Sequence, residues 1–178
     1  MQSSNKSPLA DGGKIFLIGF MGSGKSYWGS IWAKEKNLDF IDLDKLIEAQ
    51  EQKTVAEIFE INGEDHFRKA EANMLRLLED KENCIIACGG GTPCFNENMD
   101  WMNKNGITIY LQISPSNILQ RVVKEKNKRP LINKLNEAEL LFFIEQKLQE
   151  REPFYSAAKI IVKEKDISIN TFSALNIV

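Results

Sequence analysis

The sequence predicts an α/β domain in which a parallel sheet is covered by helices on both faces. Three observations carry that prediction. Short apolar runs at 14–18, 39–43, 84–88, 107–113 and 159–163 read as strands. Helical patterns separate them, and that alternation supplies the crossovers parallel strands require. The stretch GFMGSGKS, residues 19–26, sits between the first strand and a helical pattern and fits GxxxxGK[ST] in the strand-loop-helix context that this motif needs. With 178 residues, 43% hydrophobic and 27% charged, the chain suits one substantial core rather than two domains.

Each element has a local reason. Residues 1–13 are polar, with Ser and Gly but no secretory pattern, and read as a flexible leader to a single domain over 14–178. After the glycine loop, Trp28, Ile31 and Trp32 recur at i, i+3 and i+4, so that helix buries one face on the sheet. Thr54 with Glu57 has the form of a capping box and Gly63 that of a helix stop, which brackets a helix over 55–62. Phe67, Ala70, Glu71, Met74, Leu75 and Leu78 mark the stripe of the next helix. Ser114 and Pro115 suit the N-cap and first residue of a helix covering 118–123. Asn136 with Glu139 opens another, carrying Leu140 to Leu148. The run 124–130 is charged and aperiodic and reads as a mobile loop, while 167–178 reads as a covering helix through Ile169, Phe172 and Leu175.

Composition excludes several classes of function. A formal net charge of -2 gives no basic field for nucleic acid, so an anionic substrate must meet a few local cations. No apolar run approaches the roughly 18 residues of a membrane helix. Cys84, Cys88 and Cys94 match no CxxC spacing and are expected reduced, buried and inert, in a cytoplasmic setting.

The chemistry lies in a handful of positions. In the loop, glycines turn backbone N–H groups toward phosphate oxygens and the following helix adds its positive end. Lys25 would reach the β- and γ-phosphates, and the Ser26 hydroxyl would ligate Mg²⁺. In Asp42-Leu43-Asp44, strand alternation would send both carboxylates to one side, Asp42 toward the metal and Asp44 toward an acceptor hydroxyl; capping of the next helix by Asp44 is the alternative. Arg68 has Glu64 four residues before it and Glu71 three after, which alone suits a surface ion-pair ladder. Gly89-Gly90-Gly91 at the end of an apolar strand exposes backbone for close approach by a ligand. His66, the one histidine, lies off the apolar stripe and is expected exposed and uninvolved.

Taken together and in this order, the phosphate loop, Asp42-Leu43-Asp44, Gly63-Glu64 with Phe67-Arg68, Gly89-Gly90-Gly91, Arg129-Pro130-Leu131 and Arg151-Glu152-Pro153-Phe154-Tyr155 resemble the shikimate kinase family. The resemblance implies a three-layer P-loop kinase fold with a five-stranded sheet in the order 2-3-1-4-5. It also implies a substrate-binding segment over about 43–72 and a lid over about 124–134. The activity implied is MgATP-dependent phosphorylation of the 3-hydroxyl of shikimate, on the route to chorismate and the aromatic amino acids. Carried over by position, Gly22, Ser23, Gly24, Lys25, Ser26 and Tyr27 hold ATP, with Arg121 on the adenine and the lid residue Arg129 on the phosphates. Ser26 and Asp42 belong to the magnesium site. Asp44, Arg68, Gly89, Gly90, Gly91 and Arg151 bind shikimate, the two arginines taking its carboxylate, and Lys25, Asp44 and Arg129 carry catalysis. A monomer acting on small molecules, without nucleic acid or membrane, is expected. The chain departs from the family in Tyr27-Trp28 after the phosphate loop, in Cys88 before the glycines and in Thr92-Pro93 after them. The competing readings are a gluconate-type or nucleotide kinase and a kinase-like protein that binds nucleotide without turnover.

Overall fold

A computed structural model of the chain describes residues 13–124, 135–175 and 177. Five parallel strands form one sheet: β1 Lys14–Ile18, β2 Asp39–Asp42, β3 Cys84–Ala87, β4 Ile107–Gln112 and β5 Ile160–Lys163, in the order β2-β3-β1-β4-β5. The strands lie within one residue of the predicted runs at each end, because each is the apolar stretch between polar turns.

The central strand sorts the core by alternation. Phe16 and Ile18 face one layer and Ile15 and Leu17 the other, all fully buried. Helix α1, Lys25–Glu35, and the single turn α8, Thr171–Ala174, cover the Ile15 face, where Trp28, Trp32 and Phe172 stack in series at 5.8 and 5.7 Å between centroids. The Phe16 face is covered by α2 Leu43–Glu51, α3 Val55–Asn62, α4 Glu64–Leu77, α5 Asn98–Asn105, α6 Pro115–Lys124 and α7 Glu137–Tyr155. The three-layer arrangement expected from the sequence is present.

Local signals account for two of the helix starts. Thr54 and Glu57 form the full capping box on α3, and Asn136 and Glu139 form the one on α7. Ser114 precedes α6 and its carbonyl accepts from Ile118 N, but its hydroxyl donates to Glu164 at 3.0 Å instead of capping. The C-terminal segment is more irregular than expected. Ser168 N donates to Thr171 Oγ1 and that hydroxyl donates to the Asp166 carbonyl, so helix begins only at Thr171 and leaves Ile169 exposed. Among the described residues no helix is long and apolar enough to cross a membrane. The predicted leader, apart from Gly13, and the predicted lid beyond Lys124 lie outside the described residues, and Arg129 with them.

Candidate active site

The phosphate loop leaves the end of β1 and enters α1 at Gly24, whose φ of 92° and the 76° of Gly22 are left-handed values that a side chain would strain. Lys25 is buried, and its ammonium donates to the carbonyls of Gly19 at 2.8 Å and Phe20 at 2.9 Å. Ser26 Oγ donates to Asp42 Oδ2 at 2.7 Å, so a hydroxyl and a carboxylate stand side by side at the start of α1. Arg121, reaching over from α6, donates through Nη1 to the carbonyls of Gly22 and Ser23 and pairs through Nη2 with Glu164 at 3.2 Å. Tyr27 is exposed, its ring edge-on to Trp28.

Strand alternation does not explain the two aspartates. β2 ends at Asp42, whose Oδ1 accepts from Lys45 N and caps α2, so Asp42 rather than Asp44 is the N-cap. Asp44 falls in the first helical turn, where its Oδ1 is buried with no hydrogen-bond partner. Burial pushes its carboxyl up to about 6, with the Glu71 and Asp42 carboxylates adding to the rise and Lys25 opposing it. An ionisable oxygen held dry, without a donor, is suited to receiving a ligand's hydroxyl proton or hydrogen bond.

Arg68 is not part of a surface ladder. Its Nε and Nη2 donate to Glu64 Oε1 at 3.1 and 3.0 Å, while Nη1 donates at 2.9 Å to Glu71, which is fully buried. Those three bonds leave two of the guanidinium's five N–H groups for a ligand. Glu71 also accepts from Thr92 Oγ1 at 2.5 Å, which ties α4 to the segment after the glycines. Arg151, near the end of α7, pairs with no carboxylate among the described residues; its guanidinium lies 5.4 Å from the Phe20 ring centroid, beside the phosphate loop. Tyr155 fixes that end of α7 by donating to the Gly90 carbonyl at 2.5 Å.

The three glycines bring these groups together. A Cβ on Gly89 would lie 2.8 Å from Asp44 Oδ1, one on Gly90 would lie 3.5 Å from Arg151 Nη1, and one on Gly91 would lie 2.6 Å from Arg68 Nη2. The Gly90 position is also 3.2 Å from the backbone nitrogen of Met21 in the phosphate loop. A carboxylate acceptor and two guanidinium groups thus border one stretch of bare backbone next to the phosphate cradle.

Glu71, Thr92 and Phe95 belong to this site and were not singled out from the sequence. Glu71 had left a signal as an acidic residue on the apolar stripe of α4, and Thr92 as a departure from the family pattern after the glycines; Phe95 had left none. His66 is exposed as expected, 3.3 Å from Glu51. Cys84 and Cys88 are buried with their thiols pushed up by burial. Cys94 is half-buried, contrary to expectation, although burial still pushes its thiol up to about 11.

A parallel sheet in this order, with a GxxxxGK[ST] loop between β1 and α1 and a carboxylate and two guanidinium groups clustered beside it, is that of a kinase of the phosphate-loop class. A family profile described as shikimate kinase matches residues 21–178. The chain belongs to the shikimate kinase family. A shikimate kinase from Phocaeicola vulgatus is 44% identical over 154 residues, 86% of this chain and 88% of that protein. A crystal structure of shikimate kinase from Bacteroides thetaiotaomicron is similar with a TM-score of 0.86 at 40% identity, covering 91% of this chain and 95% of that one. The shikimate kinase from Acinetobacter baumannii in complex with shikimate matches with a TM-score of 0.78 at 30% identity, over 93% of this chain and 89% of that one.

Proposed function

We propose that this chain transfers the γ-phosphoryl group of ATP to the 3-hydroxyl of shikimate, giving shikimate 3-phosphate and ADP. The observation that carries this reading is the glycine triplet, whose successive residues abut Asp44, Arg151 and Arg68 while Gly90 abuts the phosphate loop. Shikimate has one carboxylate and three ring hydroxyls. Guanidinium forks suit the first, and a carboxylate acceptor suits the second.

In this account Arg68 and Arg151 take the carboxylate and the ring lies on Gly89, Gly90 and Gly91. Asp44 receives the hydrogen bond of the attacking hydroxyl. The hydroxyl oxygen forms its bond to the γ-phosphorus as the bond to the ADP oxygen breaks, and the hydroxyl proton passes to the Asp44 carboxylate. Lys25 exchanges the carbonyls of Gly19 and Phe20 for phosphate oxygens, and Gly22, Gly24, Ser26 and Tyr27 offer their backbone N–H groups at the N-terminus of α1, while Ser23 N donates to the Phe20 carbonyl and shapes the loop. Arg121 borders the nucleotide, and Arg129 is assigned to the phosphates.

The oxygens of Ser26 and Asp42 fit Mg²⁺, which takes hard oxygen ligands and is commonly held by one or two protein groups together with substrate phosphates. When bound, the ion supplies charge neutralisation on the phosphates.

A coupled ADP-release assay with shikimate, gluconate, AMP or no acceptor tests the reading. ADP formation that depends on shikimate is the expected result. Equal rates with gluconate, or none with any acceptor, would overturn it.

A further inference from the structure

Among the groups around Arg68, one has no role in the account above. Phe95 follows the glycine triplet by four residues, and its ring centroid lies 4.4 Å from the Arg68 guanidinium carbon, nearer than the rings of Phe67 at 5.2 Å and Phe59 at 5.6 Å. Phe67 is buried in the core, and Phe59 packs against that core and against Phe67, which accounts for both. Phe95 is 37% exposed, so core packing does not account for it.

The backbone on either side of Phe95 is fixed. Cys94 N donates to the Gly91 carbonyl and Asn98 N to the Phe95 carbonyl. Asn96 Nδ2 donates to the Arg68 carbonyl at 2.9 Å, and Arg76 Nη2 donates to the Asn96 carbonyl at 2.9 Å. The ring is therefore held over the guanidinium by the segment that also carries the glycines. Buried Glu71 anchors Nη1, while the side chain of Glu64, which takes Nε and Nη2, is 54% exposed, so the ring of Phe95 adds a second restraint on the group.

We propose that Phe95 is a positioning residue for substrate binding: its ring covers the Arg68 guanidinium and keeps the remaining N–H pair turned to the acceptor carboxylate. The inference rests on the reading of Arg68 as a carboxylate ligand. An aromatic face attracts a guanidinium and shields it from water, which strengthens the charge-assisted bonds it makes.

Steady-state kinetics of Phe95→Leu and Phe95→Tyr test it, together with Phe95→Leu in a background of Arg68→Met with Glu71→Gln, which removes the cation and its buried partner. Phe95→Leu is expected to raise KM for shikimate about 3- to 30-fold, with kcat and KM for ATP within about twofold. Phe95→Tyr, which keeps the ring face, is expected to restore KM. In the background lacking the cation, Phe95→Leu is expected to leave kcat/KM for shikimate unchanged. An unchanged KM in Phe95→Leu, equal impairment of the Leu and Tyr variants, or a persisting effect without the cation would each overturn the proposal. If the cation-free background itself binds shikimate as well as the wild type, the carboxylate reading of Arg68 fails, and the role of Phe95 with it. If that background is impaired while Phe95→Leu is not, the role of Phe95 alone fails.

Discussion

On the nucleotide side of the site, Lys25 rests on the carbonyls of Gly19 and Phe20, Ser26 donates to Asp42, and Arg121 lies on the carbonyls of Gly22 and Ser23. On the acceptor side, Asp44 Oδ1 is buried without a partner, Arg151 has no carboxylate among the described residues, and Glu71 is fully buried against Arg68. The nucleotide side keeps its polar groups satisfied by one another, and in the function proposed above ATP would exchange those bonds for ones to phosphate. The acceptor side leaves one carboxylate oxygen, Asp44 Oδ1, buried and unpaired at a cost to the folded state, and in the function proposed above the hydroxyl of the acceptor would offset that cost. An unpaired buried oxygen favours a site that discriminates its ligand, because a molecule without a hydroxyl at that point leaves the oxygen unsatisfied.

The largest effect should come from the nucleotide side. Lys25→Ala is expected to lower kcat by about 10²-fold or more, because phosphoryl transfer relies on positioning and charge neutralisation. The fold should persist with a stability loss of about 1–3 kcal/mol, since the carbonyls of Gly19 and Phe20 lose a buried donor. A kcat within a few-fold of the wild type would break the comparison.

The two acceptor-side arginines should separate. Arg151→Ala is expected to raise KM for shikimate about 10- to 100-fold, from the loss of charge-assisted hydrogen bonds, without loss of stability. Arg68→Ala should do the same and also destabilise the protein by about 3 kcal/mol, because it leaves Glu71 buried without its cation. Urea titration of both variants beside the kinetics would show whether the stability cost falls on Arg68 alone.

The acceptor side also predicts a variant that is inactive yet more stable. The Asp44 carboxyl binds its proton more tightly in the folded chain than in the unfolded one, with its value raised from 3.8 to about 6. Across that window the folded state holds more protons, so stability falls as pH rises, and the deficit persists at neutral pH. Asp44→Asn should therefore raise the melting temperature by roughly 2–8 °C at pH 7 and by almost nothing at pH 4, while abolishing turnover. In the wild type, kcat/KM for shikimate should drop as pH falls through about 6, where Asp44 takes up its proton.

The smallest effect belongs to an exposed helix cap that is not among the residues assigned to ATP or shikimate. Thr54→Ala removes one side of the α3 capping box and should cost about 1 kcal/mol of stability with kinetics unchanged.

The sequence made the frame legible because strands and caps are written locally. Apolar runs marked all five strands, and Thr54, Glu57, Asn136 and Glu139 marked two helix starts by chemistry confined to four residues. Long-range choices were less legible. Alternation seemed to pair Asp42 with Asp44 until capping of α2 by Asp42 ended the strand one residue early. The spacing of Glu64, Arg68 and Glu71 describes a surface ladder equally well, and only the packing of α4 beneath Gly91 and Thr92 turns it into a pocket wall. Phe95 sits in a connection without periodicity, so its place over Arg68 could not be read from its neighbours in the chain.

A crystal structure of the protein with ADP, Mg²⁺ and shikimate tests the account most directly. The account predicts the shikimate carboxylate within about 3 Å of guanidinium nitrogens of both Arg68 and Arg151, the ring on Gly89–Gly91 and a ring hydroxyl at about 2.7 Å from Asp44, facing the phosphate loop. A shikimate whose carboxylate meets neither arginine, or whose hydroxyls turn away from Asp44, would contradict it.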